Sequence, residues 1–223
     1  MDKILLIDKP AGITSHDVVD RVRRVFGTRQ VGHAGTLDPF ATGLLIIGVG
    51  AATKRLSEYV GMDKTYEATA RLGATSSTFD PEGVITETVG AGLPRPSAET
   101  APIRQDIEHV LDKFRGGYEQ KAPLHSAKKI GGKKLYELAR KGLATEEQRP
   151  SKNVAISSLV ISNYSFPLLS FTVTCSSGTY IRSLADDIGR ELGCGAYLTE
   201  LRRTAIGSYK IEDATAIDNL RAS

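Results

Sequence analysis

The thirteen residues from His33 to Leu45, HAGTLDPFATGLL, decide how the rest of the chain is read. They set Asp38 in a turn bounded by Gly35, Pro39 and Gly43, and the turn runs straight into the apolar stretch LLIIGV at residues 44–49. An apolar run of that length between turn residues reads as a buried strand. A carboxylate on the lip of a buried strand has fixed geometry and an open face, which suits a nucleophile. Taken alone, an Asp-Pro pair more often caps a turn or helix, with Asp accepting from free amides and Pro presetting the next backbone angle. The string gains meaning from the segments around it.

Upstream, KILLIDKP reads as a short strand ending at Pro10. Thr14 and Ser15 then look like caps of a helix through about Phe26, with Val18, Val19, Val22, Val25 and Phe26 on one face and Gly27 as its stop. Downstream, KTYEATARLG alternates, with Tyr66, Ala68, Ala70 and Leu72 on one side, and predicts a strand with one buried face. Residues 74–100 are rich in Thr, Ser, Gly and Pro and read as loop with one short strand. Ile103, Ile107, Val110, Leu111 and Phe114 mark an amphipathic helix. A short helix follows around Leu135 to Lys141, then strands at 154–164 and 169–176. SSGTYIRSLADDIGRELG is a turn leading into a helix with Ile181, Leu184, Ala185, Ile188 and Leu192 inward, and Thr179 is its candidate cap. The tail reads as a short helix or turn near Leu198–Arg203, a strand around 205–211 and little afterwards. Strands that are mostly sequential, with helices interspersed but not alternating, predict an α+β fold with a mixed, largely antiparallel sheet.

The chain of 223 residues is two-fifths hydrophobic, enough for a substantial core. The longest apolar stretch, Leu44 to Ala52, is too short to span a bilayer. MDKILLIDKP does not fit a signal peptide. Cys175 and Cys194 form neither a metal-ligand spacing nor a disulfide framework and read as buried thiols. A cytoplasmic protein is therefore expected. The four histidines (16, 33, 109 and 125) are scattered without ligand spacing, and no GxGxxG or Walker sequence is present. Net charge is only +3, but its distribution is uneven. From Lys113 to Lys152 eleven Lys and Arg face four Glu, a net of +7 in forty residues. Such a segment is either a phosphate-binding arm or a solvated helix face.

Five segments together resemble the tRNA pseudouridine synthase B family over most of residues 3–210. They are KPAGITSHDVV, HAGTLDPFATG, ATKRLSEYVGMDKTYEA, FRGGYEQKAPLHSAKKIGGKKLYELARKG and CSSGTYIRSLADDIGRELGCGAYLTELRRTAIG. The resemblance implies the pseudouridine synthase catalytic core, isomerising uridine at position 55 in the T-loop of tRNA. It makes Asp38 the catalytic aspartate and sets Arg182 against it. Tyr66 then stacks on the target uracil and helps move the carbon 5 proton. Tyr180 and Leu201 line the uridine pocket, His33 inserts near the flipped nucleotide, and Lys9 and Lys54 surround the cleft. Read without the resemblance, Tyr66 and Leu201 are core residues, His33 an exposed turn histidine, Lys9 and Lys54 solvated charges, and Arg182 a partner for Asp186.

The basic insertion at about 115–152 resembles the family's RNA-gripping loop, with Lys128, Lys129, Lys133 and Lys134 as candidate backbone contacts. Two departures stand out. The family's Pro-Pro-x-Tyr-Ser-Ala run is here Ala122-Pro123-Leu124-His125-Ser126-Ala127, which trades a phenol for a titratable ring. The family's C-terminal RNA-binding module of the PUA type has no room before Ser223. Residues 1–223 are thus expected to form a single catalytic domain, monomeric, with a tRNA T-arm as partner.

The isomerisation breaks the bond between the sugar and uracil nitrogen 1, turns the base and forms a bond from carbon 5. It involves no net redox change and no hydrolysis, so neither a metal nor a nucleotide cofactor is expected. Three rivals remain at this level. They are a non-catalytic tRNA-binding or folding chaperone, a guide-dependent synthase, and a glycosidic hydrolase, which would need a second carboxylate facing Asp38. Replacing Lys128, Lys129, Lys133 and Lys134 together with Gln is expected to weaken RNA binding broadly. It should also lower the slope of log affinity against log salt by about 3. An unchanged slope in a salt titration removes these lysines from the phosphate-binding role.

Overall fold

The computed structural model describes residues 2–87, 101–124, 126, 129–130, 133–135, 138, 143, 145 and 148–221. In chain order the first elements are β1 (Lys3–Lys9), α1 (Ser15–Phe26), β2 (Val31–Ala34), β3 (Thr42–Val49), α2 (Leu56–Val60) and β4 (Lys64–Leu72). There follow β5 (Ala74–Ser76), β6 (Ile85–Glu87), α3 (Arg104–Asp112), β7 (Tyr118–Lys121), β8 (Lys129–Ile130) and β9 (Lys133–Lys134). The last are β10 (Ser151–Val154), β11 (Ile156–Ser165), β12 (Leu168–Cys175), α4 (Ile181–Glu191), β13 (Ala196–Ile206), β14 (Tyr209–Lys210) and β15 (Thr215–Ala216). The chain is α+β with a mixed, largely antiparallel sheet, as the sequence pattern predicts. It groups into two compact units, one of Met1–Glu67, Val173–Ser177 and Glu200–Ser223, the other of Ala68–Thr172 and Gly178–Thr199.

In the first unit β3 is the organising strand. It pairs antiparallel with β1 along its whole length, from Lys3 opposite Val49 to Lys9 opposite Gly43. Its other edge takes β2, antiparallel, and the Arg202–Arg203 stretch of β13, parallel. Both faces of β3 are covered, which is why its sequence is continuously apolar and not alternating. Leu45, Ile47 and Val49 pack with Ile7, Val18, Val19, Val22 and Ile217, while Leu44 and Ile46 pack with Ala34, Tyr59 and Ile206 on the opposite face. Helix α1 is placed by a capping box: the Asp17 amide donates to the Thr14 hydroxyl and the Thr14 amide to the Asp17 carboxylate. Gly27, at φ 61°, closes it in a left-handed cap.

In the second unit the sheet order is β11-β12-β4-β13, with separate antiparallel pairs β7–β10 and β5–β6. Ile107, Val110 and Leu111 of α3 and Ile181, Leu184, Ala185 and Ile188 of α4 supply its helical core faces. Along β4, Tyr66, Ala68, Ala70 and Leu72 are buried in the predicted alternation. Both cysteines are free and buried. No described helix is long and apolar enough to cross a membrane.

Several predicted elements differ. Leu198–Arg203 is strand, inside β13, because its two arginines take strand positions with main-chain or carboxylate partners. The predicted strand at 205–211 is the end of β13 folded back on β14, with Ile206 opposite Tyr209. The tail adds β15, parallel to β1. His33 lies in a strand, β2, and not in the turn after it. Ile103 is the N-cap of α3 and 60% exposed, so it is not part of the inner face. The N-cap position of α4 is taken by Tyr180 and not by Thr179. The helix predicted around Leu135 to Lys141 falls largely outside the described residues, as do Lys128 and His125.

Gly43, opposite Arg203 in the β3–β13 pairing, has φ +104°, and a Cβ there would lie 2.3 Å from the Arg203 carbonyl oxygen. Gly43→Ala is therefore expected to destabilise the fold by about 3 kcal/mol through combined strain and overlap. Gly61→Ala, at φ −75° with open space around it, should be near neutral. Chemical denaturation of the two variants checks the contrast.

Candidate active site

The loop carrying Asp38 is held from both sides by the N-terminal segment. The Ser15 hydroxyl accepts from the Leu37 amide (2.9 Å) and donates to the Leu37 carbonyl (3.1 Å), just before Asp38. Just after it, the Pro39 carbonyl accepts from the Gly12 amide (2.9 Å) and from Lys9 Nζ (3.2 Å). Lys9 also donates to the carbonyls of Pro10 (2.9 Å) and Ile13 (2.7 Å). It is 0% exposed, which corrects its reading, without the resemblance, as a solvated charge. Its ammonium is solvated by three carbonyls in place of water, as a buried cation requires. Ala41 donates to the Asp38 carbonyl (3.1 Å) and closes the turn. Asp38 itself is half-buried, with its backbone pinned at the neighbouring residues.

A second buried cation, Arg203, completes the loop. Its Nε donates to the Leu44 carbonyl (2.8 Å) and its Nη2 to the Gly35 carbonyl (3.0 Å). One guanidinium, 1% exposed, thereby ties together the two ends of the segment that contains Asp38. The same guanidinium acts on the Tyr66 hydroxyl. Burial pushes the Tyr66 phenol up from its ordinary value, Arg203 opposes that shift, and Cys175 and the Asp38 carboxylate add to it. The phenol therefore keeps its proton at neutral pH, with a cation at hand to favour its anion. Lys64 is a third buried cation, donating to the carbonyls of Val60 (2.6 Å) and Met62 (2.5 Å).

His33 sits opposite Ile47 in the β2–β3 pairing. Its Nδ1 is buried without a hydrogen-bond partner among the described residues. Burial, then the charges of Arg203 and His16, hold its pKa below the ordinary value. Leu201 is buried in β13, and Lys54 is exposed after β3. Asp38, Tyr66, His33, Lys9, Lys54 and Leu201 thus share the first unit.

Tyr180 and Arg182 belong to the second unit. Arg182 is buried, and its Nη1 donates to the Thr78 carbonyl (2.9 Å) and to Asp80 Oδ2 (3.0 Å). Asp80 is buried too, accepting at Oδ1 from the Thr78 hydroxyl (2.5 Å) and the Glu82 amide (3.0 Å). Asp186 accepts from Arg190 (2.9 Å). Asp80 and Arg203 are the site residues that sequence reasoning missed. Their signals were present but faint: a second Asp-Pro pair in FDPEG at 79–83, and an arginine at a core position of TELRRTAI. Among the described residues no group of three or more His, Cys, Asp or Glu is placed to hold a metal ion.

Comparison with known proteins follows the same lines. The family model for TruB family pseudouridylate synthase (N terminal domain) matches residues 23–181, and that for the tRNA pseudouridylate synthase B C-terminal domain matches 182–223. A tRNA pseudouridine synthase B of Mycobacterium sp. (strain KMS) is 46% identical over 97% of this chain and 71% of its own. One from Chlamydia abortus is 45% identical over 94% of this chain and 84% of its own. A chain in the crystal structure of a Cbf5-Nop10-Gar1 complex is 28% identical with a TM-score of 0.72, covering 97% of this chain. The present chain spans about half of that solved chain, 53% of its length.

Because the folded pKa of His33 lies below its ordinary 6.5, protonation favours the unfolded chain. The stability that neutral His33 maintains is complete above its unfolded pKa and is lost as pH falls from there toward the folded pKa. His33→Gln should accordingly show a flatter fall in thermal midpoint than the wild type between about pH 7 and 5. Parallel midpoint curves for the two proteins would refute the assignment.

Proposed function

The chain belongs to the TruB family of pseudouridylate synthases, and from that membership we propose that it converts uridine 55 in the T-loop of tRNA to pseudouridine, with Asp38 as nucleophile. The observation that carries this reading is the Asp38 loop, tied at its ends by Arg203 and bonded at both flanks to Ser15, Gly12 and Lys9. A nucleophile that must meet a flipped nucleotide benefits from a backbone that is already in place. Tyr66, electrostatically coupled to Asp38 in the same unit, supplies the aromatic face for the base and a hydroxyl to handle the carbon 5 proton. Arg182 contributes the fixed cation, oriented by Asp80. Tyr180 and Leu201 line the uridine pocket, and His33, neutral at working pH, meets the nucleotide without adding charge.

The RNA partner on this reading is the T-arm stem-loop, and the enzyme acts as a monomer in the cytoplasm, as one catalytic domain without a cofactor. Lys129 stands opposite Lys134 in the β8–β9 pairing. Eleven Lys and Arg against four Glu between Lys113 and Lys152 support this basic segment, Lys128, Lys129, Lys133 and Lys134 included, as the RNA-backbone contact. Identity of about 45% with a tRNA pseudouridine synthase B, against 28% with a chain of the Cbf5-Nop10-Gar1 complex, supports a tRNA substrate.

The test uses T-arm RNA carrying tritium at carbon 5 of its uridines. Wild type should release tritium to water with no free uracil. Asp38→Asn should release it at least about a thousandfold more slowly, with RNA affinity nearly unchanged. Tight binding without tritium release by the wild type would favour the chaperone reading, and free uracil would favour hydrolysis.

A further inference from the structure

Helix α4, which carries Arg182, begins without a side-chain cap of its own: Tyr180 occupies the N-cap position and makes no such bond. The first turn of a helix leaves its amides without intrahelical partners, so something else must anchor it. One such anchor is Gln120 on β7, which is 2% exposed. Its Oε1 accepts from the Tyr180 amide at 2.7 Å, and its Nε2 donates to the Tyr180 carbonyl at 3.0 Å. One carboxamide thus takes both main-chain groups of a single residue, in the manner of a neighbouring strand. The second Nε2 hydrogen goes to the Tyr118 hydroxyl at 2.6 Å, and that hydroxyl donates to Asp187 Oδ2 at 2.8 Å. Turning the amide over would set oxygen against oxygen and nitrogen against nitrogen at Tyr180, so only one orientation satisfies the site.

A further tie lies on the same side of the helix. The Ser183 hydroxyl donates to the Lys121 carbonyl at 3.0 Å. Tyr180, Ser183 and Asp187 are spaced three and four residues apart, so one face of the first two turns of α4 is bonded to β7. Arg182 leaves from a different face toward Asp80. Burial raises the Tyr118 and Asp187 pKa values, so the phenol stays protonated and continues to donate. Strand β7 ends at Lys121 and its partner β10 starts at Ser151, which makes this pair the root of the basic segment between them.

We propose that Gln120 is a positioning residue for the isomerisation, fixing the main chain of Tyr180 so that Tyr180 and Arg182 present their side chains in one reactive arrangement. The proposal rests on the reading under Proposed function, since it concerns that same site. Gln120 is too deeply buried to touch RNA, so its removal should alter the rate of chemistry and not the affinity. A misplacement of about an ångström at a reacting centre can cost on the order of a hundredfold in rate.

The experiment measures single-turnover tritium release at saturating tRNA, together with tRNA affinity and thermal midpoint, for wild type, Gln120→Ala, Gln120→Glu, Tyr118→Phe and the Gln120→Ala/Tyr118→Phe pair. Gln120→Ala should slow release by about tenfold to a hundredfold with affinity unchanged. Gln120→Glu, which keeps the acceptor for the Tyr180 amide but sets a second oxygen against the Tyr180 carbonyl, should slow release at least as much as Gln120→Ala. Tyr118→Phe should slow release less, and the double variant should be no slower than Gln120→Ala alone, because both substitutions act through one chain of bonds. An unchanged rate in Gln120→Ala, equal losses of rate and affinity, or additive effects in the double variant would each overturn the proposal. Should Gln120→Ala fail to fold, Gln120→Glu and Tyr118→Phe decide: unchanged rates in both overturn it, and slowed rates at constant affinity support it. Absence of tritium release from the wild type would instead defeat the underlying reading of the site, and the positioning role with it.

Discussion

The first unit depends on cations buried in main-chain carbonyls. Arg203 spans the carbonyls of Gly35 and Leu44, so the loop that bears Asp38 closes around a guanidinium and not around an apolar plug. A charge removed from water costs several kcal/mol unless its hydrogen bonds are replaced. Carbonyls that a loop would otherwise leave unpaired are suited to that replacement, and they are satisfied in return. Lys9 and Lys64 repeat the arrangement, each with three carbonyl acceptors. The consequence is a loop without regular secondary structure that is nevertheless over-determined. Its freedom has been removed by side chains from β1, α1 and β13.

The second unit reaches the same end with different groups. There a buried carboxylate, Asp80, orients Arg182, and a buried carboxamide, Gln120, orients the start of the helix that carries it. Asp80 is itself held by the Thr78 hydroxyl, the Glu82 amide and, through its carbonyl, Ser76. The Asp80 carboxylate, the Gln120 carboxamide and the Tyr118 hydroxyl each have more than one partner. Buried networks of this kind rigidify a site when they are fully satisfied and are costly when broken. An enzyme whose task is to detach, turn and reattach a base gains most from such rigidity, because the base is the part that moves.

Electrostatics follow from the same placement. The buried Arg203 guanidinium acts on both Tyr66 and His33. Its field works against burial at Tyr66 and together with burial at His33. The two effects leave a phenol whose anion is favoured by a neighbour and an imidazole that stays neutral. Both are useful beside an RNA whose own charge is concentrated on its phosphates.

Much of this was legible in the chain itself. The continuous apolar run of β3, the alternation of β4, the caps at Thr14 and Gly27 and the apolar faces of α1, α3 and α4 are local patterns, and apart from Ile103 at the start of α3 they appear where period or cap places them. Asp38 and Tyr66 stood out by their motifs. What the sequence could not reveal lies at residues whose partners are distant along the chain. Lys9 looks like surface charge until Pro39 brings its carbonyl to it, Arg203 looks like part of a polar turn until Gly35 and Leu44 receive it, and Asp80 and Gln120 sit in segments without local periodicity. Hydrophobic period is a property of neighbours in sequence and therefore determined the elements and their buried faces. The solvation of a buried charge or amide is supplied by whatever main chain the fold delivers, so only the tertiary structure decided which polar residues build the site.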